Sequence, residues 1–163
     1  MYDLFGYMES AEEINLLAEN LKKEGDFDSI LKLAEENGLD QELAQAFIEG
    51  ELPFLADEMS AAIGKLDVEA KELKPKEIME DWLQYVKMQC FVDKEMAVAV
   101  RKDEKSFDGC VSELLKWSYK NMYDVPEGIT KAAGMRGNVK LGIPGMGTAK
   151  KIIREYYLGR QQA

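Results

Sequence analysis

The sequence has no histidine, so the commonest general base and the commonest transition-metal ligand are both missing. Only two cysteines occur, Cys90 and Cys110, with no Cys-x-x-Cys pair and nothing to complete a zinc tetrad. Both sit among apolar residues at helical spacing and are expected to be buried thiols. Two cysteines in 163 residues make no disulfide framework, which fits a reducing compartment. No stretch approaches the roughly 18 consecutive apolar residues of a membrane span, and Met1-Tyr2-Asp3-Leu4-Phe5 has neither the basic start nor the apolar run of a signal peptide. The D-x-[DN]-x-[DN]-G calcium loop and the G-x-x-x-x-G-K-[ST] phosphate loop are absent as well. No nucleophile is found with its base and orienting group. These absences together lead us to expect a protein that is not an enzyme, needs no cofactor or metal, and has no membrane partner.

What is present is ordinary material for a folded domain, with 46% hydrophobic and 32% charged residues. The distribution of charge is less ordinary. Residues 1–73 hold 19 Asp and Glu against 5 Lys and Arg, a balance of −14, whereas 74–163 hold 12 against 16, or +4. Within the latter, 128–163 carry seven bases (Lys131, Arg136, Lys140, Lys150, Lys151, Arg154 and Arg160) and one acid, Glu155. One consequence is solubility through a solvated acidic surface. A sharper one is an acidic face for a basic partner, with a basic end for an anion or nucleic acid. Clusters such as Glu12-Glu13, Asp57-Glu58, Asp26 with Asp28, and Glu35-Glu36 fall on the polar faces of amphipathic segments. With Glu49 and Glu51, residues Asp26, Asp28, Glu35 and Glu36 form the candidate acidic contact face.

Punctuation along the chain is that of helices. Ser10 followed by Glu13 is a capping box, ahead of Ile14, Leu17, Ala18 and Leu21 on one face, and Gly25 stops the run. Asp26 or Asp28 caps the next segment, whose expected inner face is Phe27, Ile30, Leu31 and Ala34, with Gly38 beyond it. Asp40 opens a third, with Leu43, Ala44, Phe47 and Ile48 inward and Gly50 at its end. A longer helix follows Pro53, with Leu55, Met59, Ala62, Ile63, Leu66, Ala70 and Leu73 recurring every three or four residues. Gly64 in its interior marks a close helix crossing. The Lys74-Pro75 step disfavours helix, and the charge balance changes there. We therefore expect an all-α fold of two small packed helical subdomains, an acidic one over 1–73 and a second over 74–163 with a basic end.

The second half continues with Ile78, Trp82, Tyr85, Val86 and Gln89 on one helix. Residues 94–101 fit either a helix or a short strand, because Met96, Val98 and Val100 alternate. Ser106 caps a strong helix bearing Phe107, Cys110, Val111, Leu114, Leu115 and Ser118, and Pro126 starts a short one. From Gly134 to Gly147 the chain is too rich in glycine for helix, and Val139-Lys140-Leu141 reads as a turn or a short strand. A last helix runs from about Thr148 to Leu158, with Ala149, Ile152, Ile153, Tyr156 and Tyr157 on its apolar side.

Gly145-Met146-Gly147-Thr148-Ala149-Lys150-Lys151 leads directly into that helix. Two interpretations stand side by side. The glycines serve a tight connection by supplying positive φ and close packing. Alternatively, free amides at the helix start, with Lys140, Lys150, Lys151 and Arg154 nearby, contact phosphate. Ile143-Pro144-Gly145-Met146-Gly147 is similar to the hairpin of helix-hairpin-helix DNA-binding proteins, which grip backbone phosphate through hairpin amides. On that resemblance, Gly145 and Gly147 would make the contact.

From about residue 74 to 160 the chain also resembles the PcfK-like family carried on conjugative plasmids, integrated elements and phages. The residues carrying this are Lys105-Ser106-Phe107-Asp108-Gly109-Cys110 opening a helix, Trp117 within it, and the closing Tyr156-Tyr157. The order of the whole chain is similar to family members described as anti-CRISPR proteins, which inhibit the nuclease of type II systems. These share the acidic start from Met1 to Tyr7, Lys74 to Trp82, and Gly142-Ile143-Pro144-Gly145-Met146-Gly147. The resemblance implies a non-catalytic inhibitor in the cytoplasm of a bacterial host cell, with a type II CRISPR effector nuclease as its partner. The alternative is a nucleic-acid-binding accessory protein of a phage or conjugative element, acting through its basic C-terminal segment.

Overall fold

The computed structural model describes residues 1–159; Arg160 lies outside them. Among the described residues the fold is all-α, with helices α1 (Ala11–Lys23), α2 (Phe27–Glu36), α3 (Gln41–Glu49), α4 (Glu58–Leu73), α5 (Ile78–Val92), α6 (Lys94–Arg101), α7 (Phe107–Lys120), α8 (Glu127–Ala132) and α9 (Met146–Leu158). The short strands β1 (Tyr123–Asp124) and β2 (Lys140–Leu141) pair antiparallel, Tyr123 opposite Leu141 and Asp124 opposite Lys140. No helix among the described residues is long and apolar enough to cross a membrane. Residues 94–101, where periodicity left two options, are helical, because Met96, Ala97, Val100 and Arg101 form one buried stripe.

Capping explains where the first helices begin. Ser10 accepts from the Glu13 amide at 3.2 Å, while the Glu13 carboxylate takes the amide of Glu9 at 2.8 Å, one residue earlier than a capping box requires. Asp26 accepts from the Ser29 amide, and Asp40 from those of Glu42 and Leu43. Asp57 and Ser60 make a full reciprocal box at the start of α4. Gly50 ends α3 in the left-handed conformation at φ 83°. Lys74 adopts the same region at φ 50°, where the following proline denies it helix.

The chain divides into two compact units, Met1–Asp108 and Gly109–Ala163. The expected boundary after Leu73 therefore falls inside the first unit. Pro75 and the change of charge mark a break between helices, whereas α4, α5 and α6 on both sides of it pack on one another. A core ends where apolar contact ends, and a proline alone does not report that. In this unit α2 packs on α1 and α3 around Ile14, Ala18, Ile30, Leu33, Ala44 and Phe47. Three expected core residues stand at the surface: Phe27 and Leu43 are exposed, and Leu73 is too. Leu33, one step round α2 from the expected stripe, is buried instead. In the second unit Cys110, Leu114, Thr130, Ala149, Ile153 and Tyr157 are buried, while Leu115 is exposed.

The crossing anticipated at Gly64 is real and tight. A Cβ built on Gly64 would sit 2.1 Å from the carbonyl oxygen of Asn37, and one on Gly38 would sit 2.4 Å from that of Gly64. The end of α2 thus rests directly on the backbone of α4. Gly64→Ala is expected to destabilise the protein by about 1–3 kcal/mol, because backbone cannot yield as a flexible side chain does. Urea denaturation of the variant checks this, and an unchanged midpoint would show that the two helices separate freely.

Candidate functional site

The strongest polar arrangement in the first unit involves residues that periodicity did not single out. Arg101, at the end of α6, is only 1% exposed. Its Nε donates to the Met8 carbonyl at 2.8 Å, Nη1 to Ala61 O at 3.1 Å and Nη2 to Asn37 Oδ1 at 2.6 Å. The guanidinium lies 4.8 Å from the centre of the Tyr7 ring and 5.8 Å from that of Tyr2. Tyr7 Oη in turn donates to the Arg101 carbonyl. One side chain therefore ties the N-terminal segment, the end of α2 and the first turn of α4 to the end of α6.

Lys65 on α4 is its neighbour and is also buried. Its ammonium donates to the carbonyls of Val100 at 2.7 Å and Lys102 at 2.8 Å and to that of Lys105, so it closes the C-terminal end of α6. Glu69, one turn along, lies 3.6 Å from it and accepts the Phe107 amide at 2.8 Å, which anchors the start of α7. Burial pushes the Lys65 pKa down and the Glu69 pKa up, in each case outweighing the attraction between the two. Burial likewise drives Tyr7 well above the usual phenol range, against the lowering field of Arg101. Tyr7, Lys65, Glu69 and Arg101 are each engaged by the fold, so together they act as a structural lock.

The signal for these residues was present. Lys65 and Glu69 are four apart and fall on the same stripe as Ala62 and Leu66, while Arg101 continues the stripe of Met96, Ala97 and Val100. A charge on an apolar stripe indicates a buried partner.

The candidate acidic face is distributed along α2 and α3. Asp28 and Glu35 are seven residues apart, which puts them on one side of α2 about 10 Å from each other along the axis. Both are exposed, as are Glu49 at the end of α3 and Glu51 after it. Two members are committed to the fold. Asp26 caps α2, and its hydrogen bonds from Ser29 hold its carboxyl below the usual range. Glu36 accepts the Leu4 amide at 2.9 Å through Oε1, while Oε2 is buried with no partner.

In the second unit the glycine-rich stretch separates into two parts. Gly134 and Gly137 have positive φ, and a Cβ on Gly142 would come within 3.1 Å of the Ser118 carbonyl, so these three serve the connection. Gly145 and Gly147 have neither constraint. Gly145 precedes α9 with no side-chain cap, and no acid occupies the first turn. The residues before the hairpin form β2 and not a helix, which departs from a helix-hairpin-helix arrangement. Lys140, Lys150 and Lys151 are exposed and Arg154 is half-buried. Lys140 lies 3.9 Å from Asp124, and Lys151 lies 4.0 Å from Glu155.

Cys90 and Cys110 are buried, and burial pushes the Cys90 thiol up to about 12. The folded protein is therefore expected to show no thiol reactive toward a disulfide reagent at neutral pH, against two after unfolding. A rapid native reaction would place one of them at the surface. A second expectation concerns Glu69. Since its folded pKa is raised above 4.5, the stability it contributes is full below that value and lost as pH rises through the folded pKa. The stability difference between wild type and Glu69→Gln should decline as pH rises above 4.5, and a flat difference would contradict the burial of a carboxyl there. No protein-family model, curated protein or solved structure matches this chain.

Proposed function

We propose that the chain is a non-catalytic inhibitor of the anti-CRISPR kind, acting in the bacterial cytoplasm by occupying a type II RNA-guided DNA endonuclease. Beyond the sequence resemblance, the observation that supports this is the placement of charge. Residues 1–108 carry 27 acidic against 12 basic residues, a balance of −15. Two of those bases, Lys65 and Arg101, are turned inward with a single acid, Glu69, so the surface is one charge more negative still. A type II effector holds its heteroduplex in a positively charged channel and reads its adjacent motif with arginines. An acidic helical body is attracted to such a channel over a distance and competes there with nucleic acid.

The test is plasmid cleavage by a purified type II nuclease titrated with the protein, wild type against Asp28→Asn/Glu35→Gln/Glu49→Gln/Glu51→Gln. Asp26 and Glu36 are left intact because they hold α2 and the N-terminal segment. Wild type is expected to inhibit at a fixed ratio, with at least tenfold weaker inhibition by the variant at low salt. Equal inhibition by both would remove the acidic face from the mechanism. Full cleavage at large excess, with nucleases from several hosts, would remove the inhibitor reading.

A second reading, a nucleic-acid-binding accessory protein of a mobile element, draws on the openness of Gly145 and Gly147 before a basic helix. It expects duplex DNA binding that weakens steeply with salt, with the slope falling by about two to three in Lys140→Gln/Lys150→Gln/Lys151→Gln. Fluorescence anisotropy across a salt series measures this, and no binding at low salt would contradict it.

A further inference from the structure

Within the first unit, α3, α4 and α5 leave between them an open apolar groove of about 690 Å³. We propose that this groove is a docking site for an amphipathic helix of a protein partner, one carrying lysine or arginine along its flanks. The inference goes beyond the acidic face, and it stands whether or not that partner is a nuclease.

The groove breaks the rule that an amphipathic helix hides its apolar stripe. Leu43 is 50% exposed although its spacing on α3 marks it for the core. On α5, Met88 and Phe91 are 59% and 69% exposed. With Gln84 they make an i, i+4, i+7 row facing the groove, spanning two helical turns. Met59 and Ile63 of α4 line the opposite side. The floor is the Gly38–Gly64 crossing, where backbone meets backbone and no side chain fills the space. Large side chains from an incoming helix at matching spacing would be covered on three sides, which is how helix-in-groove recognition works. Two methionines in the walls let the site adjust to the side chains it receives.

Charge decides what kind of helix. Asp40 and Asp67 stand at the groove, and its one lysine, Lys87, is paired with Asp67 at 2.5 Å. The surrounding unit has a balance of −15. An acidic helix would be repelled and a basic one drawn in. The same charge disfavours the first unit of a second copy. The basic helix α9 of a second copy is a poor occupant too, because Ala149, Ile153 and Tyr157 on its apolar side are already buried.

The test uses full-length protein with 13C-labelled methionine methyls and three synthetic 16-residue peptides. One is amphipathic with Leu and Phe at i, i+4, i+7 and i+11 and lysine elsewhere. The second has glutamate for lysine, and the third has the composition of the first in scrambled order. The first peptide is expected to shift the Met59 and Met88 methyls while leaving Met135 and Met146 unmoved. The second should bind at least tenfold more weakly. Leu43→Gln/Phe91→Gln, both exposed and confirmed folded by thermal melting, should also lose at least tenfold. Equal binding of the scrambled peptide would show attraction by charge alone and overturn the proposal. So would equal binding of the acidic peptide, or broadening of Met59 and Met88 with protein concentration in the absence of peptide, which would assign the groove to self-association. Because no nuclease enters the experiment, a negative result here leaves the inhibitor reading standing, and the reverse also holds.

Discussion

A guanidinium removed from water must have its N–H donors matched by protein oxygens, or the fold loses several kcal/mol. Arg101 meets that demand by drawing three separate pieces of chain around itself: the carbonyl of Met8, the carbonyl of Ala61 and the side chain of Asn37. Much else in the first unit follows from this. Asn37 is held at the point where Gly38 and Gly64 touch, so the guanidinium and the backbone crossing constrain the same place. Tyr7 and Tyr2 place their rings on the cation and bring the N-terminal segment with them. Lys65 then satisfies the carbonyls that α6 leaves open at its end, and Glu69 fixes the start of the next helix.

This arrangement separates two populations of charge. Inside, Arg101, Lys65 and Glu69 are spent on holding helices together, and burial opposes ionisation of both members of the lysine–glutamate pair. Outside, carboxylates dominate, and Asp28, Glu35 and Glu51 stand exposed among them. Such a surface acts at a distance, steering partners more than gripping them. Specific grip requires apolar area withdrawn from water, and under the docking proposal the exposed groove of Leu43, Met88 and Phe91 would provide it within the same unit. The two features would then be complementary, one setting encounter and the other residence.

How much of this could be read from sequence depended on whether the determinant was local. Caps at Ser10, Asp26 and Asp40, the stop at Gly50 and the crossing at Gly64 were legible, because residue type and spacing carry them. The boundary was displaced to Leu73, since a proline reports a break in a helix and not the edge of a core. Phe27 and Leu43 look like core residues by period, yet which side of a short helix is covered is decided by its neighbours. The strand β1 passed unnoticed, because two exposed residues carry no alternation to detect. Lys65, Glu69 and Arg101 were hidden for a different reason. Their type marks them as surface residues, and only their position on an apolar stripe says otherwise. The exposure of Asp28, Glu35, Glu49 and Glu51 was legible from their polar faces and the groove was not, since an absence of covering side chains leaves no mark on the chain.

The most direct measurement is hydrogen exchange by the amides of Leu4 and Phe107 in Arg101→Lys, compared with wild type under identical conditions. Lysine keeps the charge and loses the fork that reaches three acceptors. Leu4 is held by Glu36 and Phe107 by Glu69, at the two ends of the arrangement centred on Arg101. The expectation is that both amides exchange at least tenfold faster while the interior of α1 stays protected. Unchanged rates at both amides would contradict it, and would show that the helices around the guanidinium hold their places without it.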